Sequence, residues 1–272
     1  MKSGIVIPCY NEENRIDTKA FLNFANFNRD FVLCFVNDGS KDRTLDVLKS
    51  MSEQAANIYY VDQPQNQGKA EAVRAGMKFI YDNTNAADIG FMDADLSTGF
   101  ADYLNLVRVM DGTDQLKMVY GSRGAGAGEV ERTALRDLFS KFVKLFIQMI
   151  LKMPINDTQC GAKVFHRSLV PVIFERSFLT SWLFDVEMFI RVKGFYGTHQ
   201  VMNYIYEQPL KKWVHMEDSK LTLKDSVKIP LMLANIWMSY NVLNSFPVVD
   251  QLSYTATVAN INTAKTAIKV AA

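Results

Sequence analysis

The chain has 272 residues, a formal net charge of +1, 22% charged residues and 49% hydrophobic residues. It is therefore globular, long enough for one large α/β domain or for a domain with an appendage, and it carries no broad positive field for nucleic acid. Cys9, Cys34 and Cys160 lack metal-ligand spacing, and His166, His199 and His215 are isolated, which points to reduced thiols in a cytosolic compartment and assigns no metal to these groups.

In chain order, short apolar runs predict strands at Gly4–Ile7, Phe31–Val36, Ile58–Val61, Asp88–Met92 and Met118–Tyr120. Between them, helical periodicity covers about Asp17–Phe27, Asp42–Gln54, Lys69–Asp82 and Asp102–Met110. This alternation predicts a mostly parallel sheet with right-handed crossovers and helices on both faces. Cys9 and Cys34 fall in or beside strands and read as core fillers. Ile5-Val6-Ile7-Pro8 is too short for the apolar region of a signal peptide.

The second half reads differently. One long helix is predicted over Glu131–Met153, with Leu135, Leu138, Phe139, Phe142, Phe146, Met149 and Ile150 on one stripe and Arg132, Arg136, Lys141 and Lys144 around it. A strand follows at Lys163–His166, a helix at Trp182–Val192 and a strand at Gln200–Glu207. The end is an amphipathic segment, Leu221–Phe246, and a tail rich in Thr, Ala and Asn. The most apolar stretch, Ile229–Phe246, is interrupted by Pro230, Asn235, Ser239, Asn241 and Asn244, so no membrane-spanning helix is expected.

Met92-Asp93-Ala94-Asp95 is the most informative stretch. It sets two carboxylates two residues apart at the end of a predicted buried strand, the edge where open α/β sheets bind ligands. Like charges this close need a positive partner. A hard divalent cation bridging a diphosphate would supply it. Asp is also a favoured helix N-cap, so capping is the alternative reading for an isolated pair.

Four further motifs fall at strand ends: Pro8-Cys9-Tyr10-Asn11-Glu12-Glu13, Asn37-Asp38-Gly39-Ser40-Lys41-Asp42, Asn66-Gln67-Gly68-Lys69 and Gly121-Ser122-Arg123. Each alone is an ordinary turn or cap signal. In this order and spacing they resemble the inverting family 2 glycosyltransferases of GT-A fold, and within them the polyprenyl-phosphate hexosyltransferases, the dolichyl-phosphate glucose and mannose synthase group. The resemblance runs from about residue 3 to about residue 222. It extends through Asp157-Thr158-Gln159-Cys160-Gly161-Ala162-Lys163, Phe184-Asp185-Val186-Glu187, Trp213 and Ser219-Lys220. The chain departs at Asn37, where the family usually has a first aspartate, and at Ala162, where Phe is common.

The resemblance implies a GT-A catalytic domain over 1–222 and a C-terminal amphipathic helix and tail over 223–272. It implies that Pro8, Tyr10 and Glu12 wall a nucleoside pocket and that Asp38 accepts a hydrogen bond from the base. Gly68 would permit close approach, Lys69 would reach toward the nucleotide, and Asp93 and Asp95 would hold Mg²⁺ or Mn²⁺ and the donor diphosphate. Arg123, Arg136 and Ser140 would cradle the phosphate of a lipid acceptor, a task suited to the planar guanidinium fork. Arg136 and Ser140, four residues apart, share a helix face; a solvated flank is the alternative for Arg136.

The implied reaction moves a hexose from a nucleotide sugar, with UDP-glucose favoured, to a polyprenyl phosphate. Asp95, Asp157 and Arg123 would be its catalytic residues. A lipid phosphate is already anionic, whereas a sugar hydroxyl would need a base, for which Asp157 is the candidate with Asp185 and Glu187 behind it. The alternative for these three acids is capping or pairing with Lys163 or Arg191. The long helix and the segment Lys220–Phe246, with Trp237 and Tyr240, could lie in a bilayer interface, which gives a cytoplasmic protein peripheral at the inner face of the membrane. Other readings are transfer to a glycan hydroxyl, a nucleotidyltransferase, or a non-catalytic nucleotide-binding protein. Pro8-Cys9-Tyr10-Asn11 stands where a nucleotidyltransferase has a glycine-rich loop, and the retained Asp93, Asp95 and Arg123 argue against loss of catalysis.

Overall fold

The computed structural model describes residues 3–123, 134–211 and 223–243, with the side chains of 134–142 and 223–227 outside the description. Trp213, Ser219, Lys220 and the tail beyond 243 therefore lie outside the described residues.

Among the described residues, seven strands form one sheet in the order β3-β2-β1-β4-β6-β5-β7. These are β1 (Ser3–Cys9), β2 (Phe31–Asp38), β3 (Ile58–Gln63), β4 (Asp88–Phe91), β5 (Met118–Ser122), β6 (Lys163–His166) and β7 (Ile205–Pro209). β6 runs antiparallel to both β4 and β5, and the other pairings are parallel. The interior strands β1 and β2 are apolar on both faces because helices cover both faces. β3, at the edge, exposes alternate residues.

Strand periodicity sorts the core into two layers. Val6, Val32, Cys34 and Val36 face one layer, and Ile5, Ile7, Leu33 and Phe35 face the other. The second layer is closed by α1 (Thr18–Phe27), α2 (Thr44–Gln54) and α4 (Phe100–Asp111), with Phe24 stacked on Phe100 at 4.3 Å between ring centres. The first layer takes α3 (Lys69–Asn83), α5 (Ala134–Leu151), α6 (Val170–Phe174), α7 (Phe184–Tyr196) and α8 (Leu223–Trp237). Each fully buried Val, Ile or Phe contributes roughly 1.5–3 kcal/mol of transfer free energy.

α7 is buried on every side from Phe184 to Val192, so its Asp185, Glu187 and Arg191 must find partners inside the protein. α8 holds Pro230 within it and continues into a π-helical turn, Met238–Val242. Leu233, Ile236 and Tyr240 join the same core layer as α5 and α7.

Two local expectations shift, and one short helix is additional. The strand expected over Gln200–Glu207 begins only at Ile205: Gly197, at φ +81°, ends α7, and the Asn203 and Tyr204 N–H groups donate to the Gln200 and Val201 carbonyls at 2.9 and 3.0 Å, winding Val201–Asn203 into a 3₁₀ turn. α7 begins at Phe184 rather than Trp182, because Leu183 N–H donates to Thr180 Oγ1 at 3.1 Å and keeps 180–183 as a turn. The five-residue α6, opened by Pro171, was too short for periodicity to reveal.

Candidate functional site

The chain builds β1, β2 and β3 outward in one direction and then returns to place β4 on the other side of β1. The crevice beyond the carboxyl ends of β1 and β4 is thus the switch point of the sheet, where such folds bind ligands. A cavity of about 500 Å³ opens there, a volume suited to a ligand larger than a monosaccharide. Its lining includes Pro8, Tyr10 and Glu12 from the β1 end, Asp38 from β2, Gly68 and Lys69 from the start of α3, and Asp93 and Asp95 from the β4 end. All eight residues assigned from sequence to nucleotide or metal therefore face one space.

Loop chemistry explains how they arrive there. Asn11 takes φ +53°, a left-handed conformation that Asn tolerates. Its N–H donates to Ser40 Oγ at 3.0 Å and its side-chain oxygen accepts from Lys41 N–H at 2.9 Å, which locks the β1 and β2 loops together. Asp38 Oδ1 accepts from Gln67 N–H at 2.7 Å, and Oδ2 accepts from Gly68 N–H at 2.9 Å and Asn66 Nδ2 at 3.0 Å. Asp38 thus anchors the loop that opens α3 as well as lining the cavity. Burial raises its pKa above the usual carboxylate value, against the pull of the Gln67 and Gly68 amides. Gly68 sits at φ +91°, where side chains are strained, and a Cβ there would stand 2.9 Å from Ser181 Cβ.

At the β4 end, Lys69 Nζ donates to Asp93 Oδ1 at 2.5 Å. Burial opposes the ammonium, but Asp93, Asp185 and Asp95 outweigh it and hold the Lys69 pKa above its ordinary value. Asp95 Oδ1 accepts from Ser97 N–H at 2.9 Å, and Leu96 between them is held at φ +56°. That conformation is uncommon for a leucine and marks the turn that aims the aspartates.

Asn37, the departure from the family pattern, has a local cause. Its Nδ2 donates to Asp62 at 2.7 Å across the β2–β3 pairing, where an aspartate would oppose a second carboxylate.

Arg123 and Asp157 do not line this cavity; they bind each other. Arg123 Nε donates to Asp157 Oδ2 at 2.8 Å, Nη2 to Oδ1 at 2.9 Å, and the Arg123 backbone N–H to Oδ2 at 3.0 Å. Burial would raise the Asp157 pKa, but Arg123 overrides it and holds the carboxyl below its usual range, so Asp157 is a poor proton acceptor. Arg136 and Ser140 lie on α5, with side chains outside the described residues. Asp185 and Glu187 take the structural alternatives. Asp185 accepts from the fully buried Lys163 Nζ at 2.5 Å, and Glu187 lies 3.8 Å from Arg191.

Sequence reading missed Arg15, Ser181 and Trp182, which also line the cavity. Arg15 follows Glu12 by three residues and lies 3.6 Å from it, a spacing visible in retrospect. Ser181 and Trp182 reach the cavity from a distant loop, and nothing in their local sequence signals it.

The sheet order, with its switch-point cavity, is that of a GT-A fold. Residues 4–174 match the family model for glycosyl transferase family 2, and the chain belongs to that family; it is a glycosyltransferase. Among curated relatives, a dolichyl-phosphate beta-glucosyltransferase of Trichomonas vaginalis is 30% identical over 248 residues, covering 85% of this chain and 69% of its own length. The enzyme of that name from Saccharomyces cerevisiae is 28% identical over 265 residues, covering 87% and 74%. Among solved structures, glucosyl-3-phosphoglycerate synthase from Mycobacterium tuberculosis, crystallised with Mn²⁺ and UDP-glucose, superposes with a TM-score of 0.64 over 88% of this chain and 78% of its own, at 15% identity. That last likeness bears on the fold alone.

Proposed function

We propose that this protein transfers glucose from UDP-glucose to a polyprenyl phosphate of dolichyl type, with inversion at the anomeric carbon. The observation that carries the reading is the convergence of Asp93, Asp95 and Lys69 with the Pro8–Glu12 and Asp38 loops on one cavity. The names of the curated relatives support the sugar and the lipid. The catalytic domain is residues 1–222, followed by a C-terminal helix and tail over 223–272, of which Leu233, Ile236 and Tyr240 pack into the core.

Asp93 and Asp95 fit a divalent cation. Both are hard oxygen donors at the cavity wall, and among the described residues no cluster of three or more His, Cys, Asp or Glu offers a complete protein cage. Such a donor set suits Mg²⁺ or Mn²⁺ that takes its remaining ligands from phosphate and water. Bound there, the ion supplies Lewis-acid stabilisation of the leaving diphosphate. Lys69, kept protonated by Asp93, places a second positive charge beside the same leaving group. Pro8, Tyr10, Glu12 and Asp38 hold the nucleoside, and Gly68 lets the chain approach it.

Arg123, held by Asp157 along its Nε–Nη2 edge, presents a fixed cation to the acceptor phosphate, with Arg136 and Ser140 completing that cradle. An anionic nucleophile needs no general base, which agrees with the depressed pKa of Asp157. Its role in this reading is to aim Arg123.

Lipid acceptors require approach to a membrane. No helix among the described residues is long and apolar enough to cross one. Leu145 and Met149 of α5 are exposed, as are Leu231, Trp237, Met238, Val242 and Leu243 along α8 and its π turn. We assign these side chains to a peripheral contact with the cytoplasmic leaflet.

The test is a screen of UDP- and GDP-sugars against a short polyprenyl phosphate with Mn²⁺, read as lipid-linked product. UDP-glucose should give product. A preference for GDP-sugars would overturn the donor, and product formed only on glycan hydroxyls would overturn the acceptor.

A further inference from the structure

We infer that Glu187 and Tyr240 are positioning residues for the cavity wall formed by Ser181 and Trp182, joined in a buried relay by which the C-terminal helix fixes the loop that carries them. The inference rests on the donor reading above.

The loop is held at its two ends. Glu187, fully buried on α7, accepts at Oε2 from Leu179 N–H at 3.0 Å and at Oε1 from Thr180 N–H at 3.1 Å and Thr180 Oγ1 at 3.3 Å. Thr180 Oγ1 in turn accepts from Leu183 N–H at 3.1 Å. Ser181 and Trp182 are the two residues inside this closed turn, and both line the cavity. Ser181 stands next to Gly68, the residue before Lys69, so the turn walls the cavity at the start of α3. Trp182 is 38% exposed there, and an indole face is a ready apolar platform for a sugar ring.

The whole relay lies beyond the family-model match, which ends at residue 174, and its second half comes from the described helix furthest along the chain. Tyr240 OH, in the π turn after α8, donates to Glu187 Oε2 at 3.1 Å and accepts from Arg191 Nε at 2.9 Å. Arg191 spends its other donors on the carbonyls of Ile173, Arg176 and Ser177, the approach to the same loop. One phenol thus satisfies both the carboxylate that grips Leu179 and Thr180 and the guanidinium that grips 173–177. Tyr240 is carried by the π turn that follows α8. Removing the phenol oxygen leaves a buried carboxylate short of a donor and a buried guanidinium short of an acceptor, and such groups relax by moving what they hold. The outer face of the same helix is the apolar surface assigned above to the membrane. Seating of that helix is thereby tied to the geometry of the donor site.

The experiment compares the full-length protein with Tyr240→Phe and Thr180→Val, and with Leu106→Ala, which opens the opposite core layer. Leu106→Ala serves as a control for general destabilisation. Two readouts are taken: amide hydrogen exchange at Leu179 and Thr180, and calorimetric affinity for UDP-glucose relative to UDP, both with Mn²⁺. Tyr240→Phe and Thr180→Val should speed exchange at both amides and weaken UDP-glucose by about tenfold, the worth of one charge-assisted hydrogen bond, with UDP within about twofold. Leu106→Ala should lower the melting temperature without changing the UDP-glucose to UDP ratio. Wild-type exchange and a wild-type ratio in Tyr240→Phe would overturn the inference, as would the same altered ratio in Leu106→Ala. If the wild-type protein binds neither nucleotide, the donor reading fails, and exchange at Leu179 and Thr180 alone decides whether Tyr240 holds the loop.

Discussion

Gly161 lies so close to Asp93 that a Cβ at this position would stand 1.9 Å from Asp93 Oδ2. The close approach joins the loop after Cys160 to the end of β4, on the Oδ2 side of a carboxylate whose Oδ1 is bonded to Lys69. Gly161→Ala should therefore push Asp93 off its place while leaving the sheet intact. A misplacement of about 1 Å at a reacting group can cost about 10²-fold in rate, so lipid-linked product should fall by about that factor. Circular dichroism should be unchanged. A fully active Gly161→Ala protein would show that Asp93 is not required in this orientation.

Asp95→Ala should abolish turnover and make nucleotide-sugar binding insensitive to Mn²⁺, because it removes a hard oxygen donor from the paired site. Calorimetry with and without the metal checks this. Retained, metal-enhanced binding in Asp95→Ala would sink the assignment of the metal to this residue.

The Asn37–Asp62 hydrogen bond predicts the outcome of restoring the family's usual residue. Asn37→Asp sets a buried carboxylate 2.7 Å from another in place of a donor, and should cost about 1–3 kcal/mol at pH 7. Adding Asp62→Asn should recover most of the loss, since the donor is then supplied from the other side. Urea unfolding of the four members of the cycle measures the coupling. Additive losses would mean the two residues do not interact.

Arg123 and Asp157 make a pH-dependent prediction. The folded pKa of Asp157 is depressed by Arg123 against the effect of burial. The pair's stabilisation is therefore complete above the unfolded value of about 3.9 and is lost as pH falls through the lower folded value. Asp157→Asn should flatten the acid limb of a stability–pH curve below about pH 4. Its kcat should show no loss of a neutral-range base titration, because none is present in the wild type. Arg123→Ala should lower kcat or raise acceptor KM by about one to two decades, with nucleotide affinity nearly unchanged. Arg123→Lys should recover only part, for lack of the fork.

Lys163 and Asp185 form a fully enclosed ion pair, with burial raising the Asp185 pKa against Lys163 and Lys69. Lys163→Met or Asp185→Asn alone should each destabilise by about 3–5 kcal/mol, because the partner is stranded out of water. The double variant Lys163→Met/Asp185→Leu should return most of that stability. Equal melting temperatures for single and double variants would refute the pairing.

Much of the fold was legible because its signals are local. Buried parallel strands must be continuously apolar and their crossovers amphipathic, so the β1–α1–β2–α2–β3–α3–β4 alternation could be read from periods of two and 3.6 residues. The fold places the charged turn residues after β1, β2 and β4 together, since all parallel strands end on the same edge. That is why Tyr10, Asp38, Asp93 and Asp95, with Lys69 from the loop after β3, can be grouped from the sequence alone.

What the sequence determined by itself was the fold class and the side of the sheet that carries the site, because strand direction and turn chemistry are properties of short segments. The tertiary structure decided which charges meet. That Arg123 turns to Asp157, that Asp185 serves Lys163, and that Asn37 answers Asp62 depend on strands and loops far apart in the chain. It also decided that Ser181 and Trp182 enter the cavity and that Tyr240 reaches Glu187 from 53 positions away. Such pairings follow from packing and from the need to satisfy buried polar groups, conditions that exist only once the core has closed.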